Sequence, residues 1–366
     1  MKYSVCLIYN YAQHYRKGVF IKLDNELECD SYFGDKMGDV KKMDYNLLPH
    51  FQKELINIPL IPPFYWQSGA VSLIFKNYKH YILLGEYYCL STWLILILSK
   101  FSSKKVHLWT HGWYGNESFL KRLIKKSFFG LADNILLYGE YAKKLMIKEG
   151  FNAGKLHVVF NSLDYERQLK ERERLSQSSL YGKHFKNDNP TLIFIGRLTK
   201  VKKLDMILEA MQTLKSEGIH FNFVFVGEGE EKGKLEKLVK DYQLCSSVWF
   251  YGASYDEKEI SNLIFNATLC ISPGNVGLTA MHSLVYGTPV ITHNDFPNQM
   301  PEFEAIVAGK SGVFFNRNSL SDMTEKIKFW LLEKTDREKI RIDCFDRIDQ
   351  FYNPQYQTKV IKNLIN

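Results

Sequence analysis

Several features that would assign this chain to a specialised class are missing. The six cysteines are scattered, with no Cys-x-x-Cys pair and no Cys/His cluster, which argues against zinc and for free thiols in a reducing compartment. The apolar run after the N-terminus is too short for a secretory signal. The strongest candidate for a membrane span, residues 81–98, is broken at Gly85 and carries Glu86, so we expect a strand and a buried helix there. The expected location is therefore the cytoplasm.

The charge balance leaves anionic partners open. The chain has 366 residues, 45% hydrophobic and 24% charged, with a formal net charge of +8. Such a balance is compatible with nucleic acid, anionic lipid or phosphorylated ligands. The basic residues are spread along the chain, and no helix-turn-helix, zinc-finger or RNP motif is present. We therefore expect no nucleic-acid partner.

Short apolar runs alternate with amphipathic helical stretches along the whole sequence. This alternation predicts an α/β protein, and the length suits two domains of ordinary size. Residues 165–189 change in character to charged and turn-rich sequence. We therefore predict an N-terminal α/β domain over 1–170, a linker over 171–190, a second such domain over 191–345, and a C-terminal helix over 346–366.

The stretch of residues 271–291 reads as strand, loop, helix and strand. Pro273, Gly274 and Asn275 are turn residues, and from Leu278 apolar side chains follow one helix face until Gly287. The backbone amides of residues 276–279 then lie at the positive end of a helix, where a phosphate binds readily. The alternative is an ordinary βαβ crossover with an empty loop.

A basic loop follows the predicted strand over 191–195. Arg197 and Lys202 are five residues apart, and Gly196 allows close backbone approach. Together the two cations can hold a diphosphate and neutralise it as a leaving group without a metal. The alternative is a solvated basic loop.

In the first half, polar residues follow the ends of predicted strands, where ligands of open α/β sheets bind. His14, Tyr15 and Arg16 follow the first strand, and His111 follows the strand over 106–110. The first three are candidate acceptor-side residues, although a solvated helix entry explains them too. His111 is a candidate for site chemistry, but a lone histidine is more often simply hydrogen-bonded.

A helix over 121–129 carries basic residues on one side and apolar residues on the rest. This pattern suits binding to an anionic bilayer, and equally a helix packed on the sheet with a solvated basic face. The four basic residues are Lys121, Arg122, Lys125 and Lys126.

These motifs resemble the large retaining GT-B group of glycosyltransferases usually called family 4. The resemblance covers nearly the whole chain, and it is strongest in the C-terminal half. It implies two Rossmann-like βαβ domains that face a central cleft, with the C-terminal helix crossing back to the first domain. The matching residues are Gly196-Arg197-Leu198 with Lys202 and Asp205, Val226-Gly227-Glu228-Gly229, Phe250-Tyr251-Gly252, Gly277-Leu278, Gly287-Thr288-Pro289-Val290, Glu304 with Gly309 and Gly312, His111-Gly112, and 161–164.

The resemblance also implies roles for individual residues. Arg197 and Lys202 would stabilise the leaving diphosphate, and His111 would line the cleft near the transferred sugar. No metal or other cofactor is implied, and the sequence has no Asp-x-Asp motif, the usual manganese site of the other main transferase fold. The implied donor-binding residues are Gly196, Gly227, Tyr251, Gly252, Gly274, Asn275, Val276, Gly277, Leu278, Thr279 and His282.

One departure from the family pattern concerns two glutamates separated by seven residues. Gly274 and His282 occupy their positions. In the family the first glutamate usually contacts the donor sugar and the second the ribose. Gly274 has no side chain for this, whereas His282 can still hydrogen-bond a ribose. Either the donor differs from the common hexoses or the protein is degenerate.

The function implied is retaining transfer of a sugar from a nucleotide-diphosphate donor to an acceptor hydroxyl. The expected acceptor is a glycan or lipid-linked glycan of polysaccharide biosynthesis (capsule, O-antigen or exopolysaccharide), reached in the cytoplasm or at the inner face of the plasma membrane. Two alternatives remain: a degenerate nucleotide-sugar binder or partner subunit without turnover, and a nucleotide-sugar epimerase, for which no acid/base carboxylate pair is evident.

Overall fold

The structure is a computed structural model that describes residues 4–36, 38 and 40–365. The chain divides into two compact units. The first unit contains residues 1–164 and 351–366, and the second contains residues 165–350. Each unit is built on its own, mainly parallel sheet with helical connections.

The first unit contains an eight-stranded sheet in the order β4-β3-β2-β1-β5-β6-β7-β8. All neighbouring strands are parallel except β3 and β4, which are antiparallel. The strands are β1 (Val5–Tyr9), β2 (Asp30–Gly34), β3 (Phe51–Pro59), β4 (Tyr65–Ser68), β5 (His80–Leu84), β6 (Lys105–Thr110), β7 (Asn134–Leu137) and β8 (Leu156–Val158).

The second unit contains a six-stranded, fully parallel sheet in the order β11-β10-β9-β12-β13-β14. The strands are β9 (Thr191–Ile195), β10 (Asn222–Val226), β11 (Val248–Gly252), β12 (Leu269–Ser272), β13 (Val290–His293) and β14 (Gly312–Phe315).

The helices of the described ranges are numbered along the chain. They are α1 (Lys17–Leu27), α2 (Leu90–Ser99), α3 (Phe119–Gly130), α4 (Glu140–Lys148), α5 (Tyr165–Arg172), α6 (Leu180–Phe185), α7 (Asp205–Ser216), α8 (Lys232–Asp241), α9 (Glu257–Asn266), α10 (Leu278–Val285), α11 (Leu320–Glu333), α12 (Arg337–Phe351) and α13 (Pro354–Ile365).

The central strands are apolar runs buried on both faces, as parallel sheets covered by helices require. Every residue of β1, β9 and β10 is buried. In the first unit, α13 packs on α1, and Ile361 and Ile365 join the same hydrophobic cluster as Leu23 and Leu27. The C-terminal helix is thus part of the core of the first unit.

The segment predicted as a linker, residues 171–190, is a structured part of the second unit. It includes α6, whose Tyr181 and Phe185 are buried. The Tyr181 hydroxyl donates to the Leu263 carbonyl of α9 (2.6 Å), and the Phe185 ring contacts Trp249 of β11. The prediction of a linker is therefore corrected: its polar composition conceals two aromatic side chains that anchor it to the sheet.

Candidate active site

The strand order of the second sheet creates a crevice at one point. β9 lies between β10 and β12, so the connections that leave β9 and β12 run to opposite sides of the sheet. In open α/β sheets, ligands bind at the carboxyl ends of the strands at such a switch point. The loops found there are residues 196–204 after β9 and residues 273–277 after β12, the two stretches that the sequence singles out.

Glycines allow the backbones at this crevice to approach each other closely. A Cβ atom on Gly227 would lie 1.9 Å from the Gly196 carbonyl oxygen. A Cβ atom on Gly274 would lie 2.0 Å from the Val201 carbonyl oxygen. Gly196 and Gly227 also have φ values of 146° and 148°, which disfavour any L side chain. Glycine is therefore required at these positions by the packing of the loops.

Lys202 links the two loops. Its Nζ donates to the backbone oxygen of Asn275 (2.5 Å) and to Oδ1 of Asn275 (2.9 Å), while the Gly274 amide donates to the Lys202 carbonyl (2.9 Å). Burial lowers the pKa of Lys202 to about 8, with the Glu302 carboxylate opposing the shift and Arg197 adding to it. An anion bound beside Lys202 would favour its protonated form and raise its pKa.

Arg197 is exposed in the same loop. Within the described ranges it makes no hydrogen bond or ion pair, and its charge contributes to the lowered pKa of Lys202. Two cations therefore lie near each other at the crevice, and the guanidinium of Arg197 keeps its hydrogen-bonding capacity for a ligand.

The N-terminus of α10 completes this edge. Gly277 precedes the helix with φ 54° and ψ −145°, and the amides at a helix start lack intrahelical acceptors. The Val276 amide, which we expected to face the ligand, instead donates to Gln299 Oε1 (2.8 Å). The cradle is therefore corrected to the amides of residues 277–279, because the Gln299 side chain already occupies the first of the four.

Gln299 is a residue that sequence reasoning missed. Its Nε2 donates to Thr292 Oγ1 (2.9 Å) and to the His293 carbonyl (3.0 Å). It thereby fixes the loop after β12 to the end of β13. The Thr279 hydroxyl is also engaged, since it donates to the Ile195 carbonyl of β9 (2.8 Å). No motif in the sequence marks Gln299, because its role depends on the folded loop.

The remaining predicted donor-site residues lie at the ends of β10, β11 and on α10. The Gly252 carbonyl accepts from the Gly227 amide (2.8 Å), and the Tyr251 hydroxyl donates to Glu259 (3.2 Å). His282 donates from Nε2 to Oε1 of Glu257 (2.9 Å). Glu257 was also missed, because as the first residue of α9 it reads as an ordinary helix start.

His111 of the first unit lies just beyond β6. Its ring packs against Tyr138 (centroids 4.8 Å apart), and no described residue hydrogen-bonds to it. Burial lowers the pKa of His111 to about 4, and Arg16 and Lys125 contribute through their charges. The imidazole is therefore neutral near pH 7 and offers one donor and one acceptor nitrogen.

Arg16 is not an exposed acceptor-side residue, which corrects the expectation. It is 5% exposed, donates from Nη1 to the Tyr138 hydroxyl (2.7 Å), and lies over the ring of Trp109 (4.8 Å). Its neighbours in the triplet, His14 and Tyr15, are half-buried. The stretch looks polar in sequence, but aromatic side chains enclose the guanidinium by cation–π contacts.

Lys125 is also buried, although the pattern of basic residues on α3 predicts that it lies on the exposed face. It is 3% exposed, and its Nζ donates to Glu117 and to the Gly112 carbonyl (both 2.6 Å). It therefore cannot face a membrane. Lys121, Arg122 and Lys126 remain at least partly exposed beside other exposed side chains of the same helix, namely Phe119 (76%), Leu120 (66%) and Leu123 (48%).

Two kinds of site are absent from the residues that the structure describes. No group of three or more His, Cys, Asp or Glu side chains is arranged to hold a metal ion. No helix combines the length and apolar character needed to cross a membrane.

The comparisons with known proteins agree with this architecture. Solved structures with similar folds include Alr3699/HepE from Anabaena in complex with UDP (TM-score 0.74, 12% identity, 99% of each chain). Another is a glycosyltransferase from Rickettsia africae (TM-score 0.76, 15% identity, 100% of this chain and 98% of that chain). The fold is therefore GT-B, an α/β fold with two Rossmann-like units.

The sequence comparisons place the family signal in the second unit. Residues 180–343, which are less than half of the chain, match the family described as "Glycosyl transferases group 1". A curated relative is the "Putative colanic acid biosynthesis glycosyltransferase WcaL" of Salmonella typhimurium, 23% identical over 186 residues. The alignment covers 48% of this chain and 44% of that protein, so the chain spans less than half of the length of that relative.

Proposed function

We propose that the protein is a retaining glycosyltransferase that moves a sugar from a nucleotide-diphosphate donor to an acceptor hydroxyl. The observation that carries the proposal is the crevice at the switch point of the second sheet. There, the unpartnered guanidinium of Arg197, the half-buried Lys202 and the start of α10 meet on loops that glycines hold together.

Each part of this crevice has a role in loss of the diphosphate. Arg197 presents a planar fork and Lys202 a point charge to the phosphate oxygens, and the amides of residues 277–279 donate from the helix start. These groups are already positioned to stabilise the negative charge that develops on the leaving diphosphate. Because side-chain cations supply this charge, we propose that transfer proceeds without a divalent metal.

The first unit supplies the acceptor side in this proposal. Neutral His111 is a candidate for a hydrogen bond to a sugar hydroxyl. His14 and Tyr15 remain candidates for acceptor contact, whereas Arg16 supports them from inside the core. Because WcaL is described as a colanic acid biosynthesis glycosyltransferase, we propose a glycan or lipid-linked glycan acceptor in polysaccharide biosynthesis.

A cytoplasmic protein that acts on a lipid-linked acceptor would benefit from binding to the membrane surface. The exposed apolar side chains of Phe119, Leu120 and Leu123, flanked by Lys121 and Lys126, form a surface suited to an anionic bilayer. We include peripheral binding at the inner face of the plasma membrane in the proposal.

The direct test measures release of nucleoside diphosphate from a panel of UDP-, GDP- and dTDP-sugars. Arg197→Ala and Lys202→Ala should each slow release by about 10²- to 10³-fold, while the melting temperature stays near that of the wild type. Lys237→Ala, which removes an exposed cation of α8 in the same unit, serves as the matched control. Wild-type turnover in Arg197→Ala and Lys202→Ala, or activity lost with EDTA and restored by Mn²⁺, would refute the proposed chemistry.

One observation favours a second candidate, a nucleotide-sugar binder without turnover. Gly274 has no space for a Cβ atom, so the family's sugar-contacting glutamate cannot be accommodated on this backbone. A thermal shift with a nucleotide sugar, together with no release or transfer across the panel, would support this candidate.

A further inference from the structure

A half-buried glutamate lies at the carboxyl edge of the first sheet. Glu86 follows the last residue of β5 by two positions. Its Oε2 accepts from the Tyr65 hydroxyl (2.9 Å), and the Tyr88 hydroxyl also hydrogen-bonds to this carboxyl. Within the part of the chain that the structure describes, Glu86 forms no ion pair. Because a carboxylate withdrawn from water without a cationic partner is costly, this placement indicates a role beyond folding.

The hairpin of β3 and β4 lies across this edge and positions the glutamate. The Tyr65 amide of β4 donates to the Tyr88 carbonyl in the loop after β5 (3.1 Å). The side chain of Gln67, also in β4, is buried and donates from Nε2 to the carbonyl of Tyr9 at the end of β1 (3.0 Å). β4 is therefore fixed to the ends of two neighbouring strands, and Tyr65 is held against Glu86.

Both tyrosines remain hydrogen-bond donors to the carboxyl. Burial, followed by the charge of Glu86, raises the pKa of Tyr65 and of Tyr88. Burial also raises the pKa of Glu86, and the hydrogen bonds from the two hydroxyls oppose that shift. The two oxygens of a carboxylate offer about four lone-pair sites, and each tyrosine occupies one. Glu86 therefore keeps the capacity to accept from hydroxyl groups of a ligand.

Tyrosine rings form a patch beside this carboxyl. The ring centroid of Tyr88 lies 6.0 Å from that of Tyr65 and 5.5 Å from that of Tyr87. The carbonyl of Tyr87 accepts from Nε1 of Trp93 (2.7 Å), which fixes its backbone, and its side chain is half-buried. We call Glu86, Tyr65, Tyr87 and Tyr88 the Glu86 cluster. A carboxylate beside aromatic rings suits a sugar, whose hydroxyls donate to the oxygens while its C–H face packs on a ring.

The Glu86 cluster lies on the acceptor side of the proposed function. β5 and β6 are neighbouring parallel strands, and His111 follows the end of β6 at the same edge of the sheet. The ring centroid of Tyr114 lies 6.1 Å from that of His111, and Tyr114 also contributes to the raised pKa of Tyr88. Within the first unit, Tyr114 thus connects the Glu86 cluster to His111.

We infer that the Glu86 cluster binds the acceptor sugar and selects an uncharged one. Glu86 accepts hydrogen bonds from hydroxyls of a neutral pyranose, and the Tyr87 ring packs against its C–H face. Tyr65 and Tyr88 are positioning residues that hold the carboxyl. A sugar with a carboxylate of its own, such as a uronic acid, is repelled by Glu86. The inference rests on the proposed function, because it assumes that the first unit receives the acceptor.

The test measures transfer to octyl glycosides of defined sugars. Octyl β-glycosides of glucose, galactose, mannose and N-acetylglucosamine are compared with octyl β-glucuronide, with the nucleotide sugar that the wild type hydrolyses fastest as donor. We expect Glu86→Gln to raise KM for the best neutral acceptor roughly 10- to 100-fold, as for a lost hydrogen bond to a charged group, with a smaller change in kcat. The wild type should disfavour the glucuronide, and Glu86→Gln should reduce this preference. Dissociation constants of UDP and GDP, measured by calorimetry, should not change.

Further variants separate acceptor binding from a structural role. Tyr65→Phe removes one positioning hydroxyl and should raise the acceptor KM less than Glu86→Gln does. Glu26→Gln is the matched control: Glu26 is a half-buried carboxylate near the end of α1, at the opposite edge of the same sheet, and its substitution should leave the acceptor KM unchanged. If Glu86→Gln lowers the melting temperature but leaves the acceptor KM and the preference for neutral sugars at wild-type values, Glu86 is structural and the inference is overturned.

Failure of the inference and failure of the proposed function give different results. If the wild type binds neither UDP nor GDP and hydrolyses no nucleotide sugar, the donor chemistry is refuted, and the inference falls with it. If the wild type hydrolyses a nucleotide sugar but transfers to none of the neutral glycosides, or prefers the glucuronide, only the inference is refuted.

Discussion

The charge on Lys202 should control the alkaline limit of activity. Burial lowers the pKa of Lys202 to about 8, and only the protonated ammonium attracts the diphosphate. A group with this pKa is about 90% protonated at pH 7 and about 10% protonated at pH 9. If Lys202 acts as proposed, kcat/KM should therefore fall roughly 10-fold between these pH values.

Two substitutions separate the charge of Lys202 from its other contacts. Lys202→Arg keeps a cation that stays protonated over the whole range, so its pH profile should lose the alkaline decline even if its rate is lower. Lys202→Met removes the cation, and loss of one such stabilising contact costs about 10²- to 10³-fold in kcat. The remaining activity should not depend on pH between 7 and 9.

The assay is continuous release of nucleoside diphosphate under kcat/KM conditions in buffers of constant ionic strength. In the kcat profile the decline should move to higher pH, because the bound diphosphate raises the pKa of Lys202. An alkaline decline that persists unchanged in both Lys202→Arg and Lys202→Met would show that another group titrates, and would refute the role of Lys202.

Three further predictions test other parts of the structure. Gly274→Ala should reduce donor affinity and the melting temperature, because its Cβ would lie 2.0 Å from the Val201 carbonyl oxygen; Gly233→Ala, which meets nothing within 4 Å, is the control. Phe119→Glu should lower recovery on vesicles that contain anionic lipid, whereas the control Ile342→Glu, also at an exposed apolar residue (65%), should not. Burial, followed by the charge of His80, lowers the pKa of His107 to about 4, below its value in the unfolded chain. Neutral His107 therefore makes its full contribution to the free energy of unfolding above about pH 6.5, and about 2–3 kcal/mol of that free energy should be lost on acidification to pH 4.5. Urea unfolding of the wild type and His107→Gln measures this loss, and an equal loss in both proteins would contradict the assignment.

Much of the second unit could be predicted because its local signals agree with its fold. β9 and β10 are short apolar runs, and their burial on both faces is what such runs indicate. α10 begins at Leu278 and ends before Gly287, whose φ of 75° is the conformation that the sequence assigns to a helix-ending glycine. Strand order then places the two predicted loops at the same crevice.

Charged residues were the least predictable part, because their burial depends on partners distant in sequence. The spacing of basic residues on α3 places Lys125 with the solvated cations, yet Glu117 in the preceding loop draws it inward. Arg16 is buried for a similar reason, since its partners are distant in sequence: Trp109 lies in β6 and Tyr138 directly follows β7. Helical periodicity describes which face a residue occupies, but it carries no information about what covers that face.

The role of Gly274 also depends on partners that the sequence does not reveal. In the sequence, Gly274 is interpreted only as a position without a side chain. In the structure its Cα lies against the backbone of Val201 and Lys202, and its amide donates to the Lys202 carbonyl. Any side chain there would separate the loops that Lys202 joins through Asn275, so we expect a glutamate introduced at position 274 to weaken the proposed binding of diphosphate. A substitution strategy for changing the proposed donor preference should therefore leave Gly274 intact.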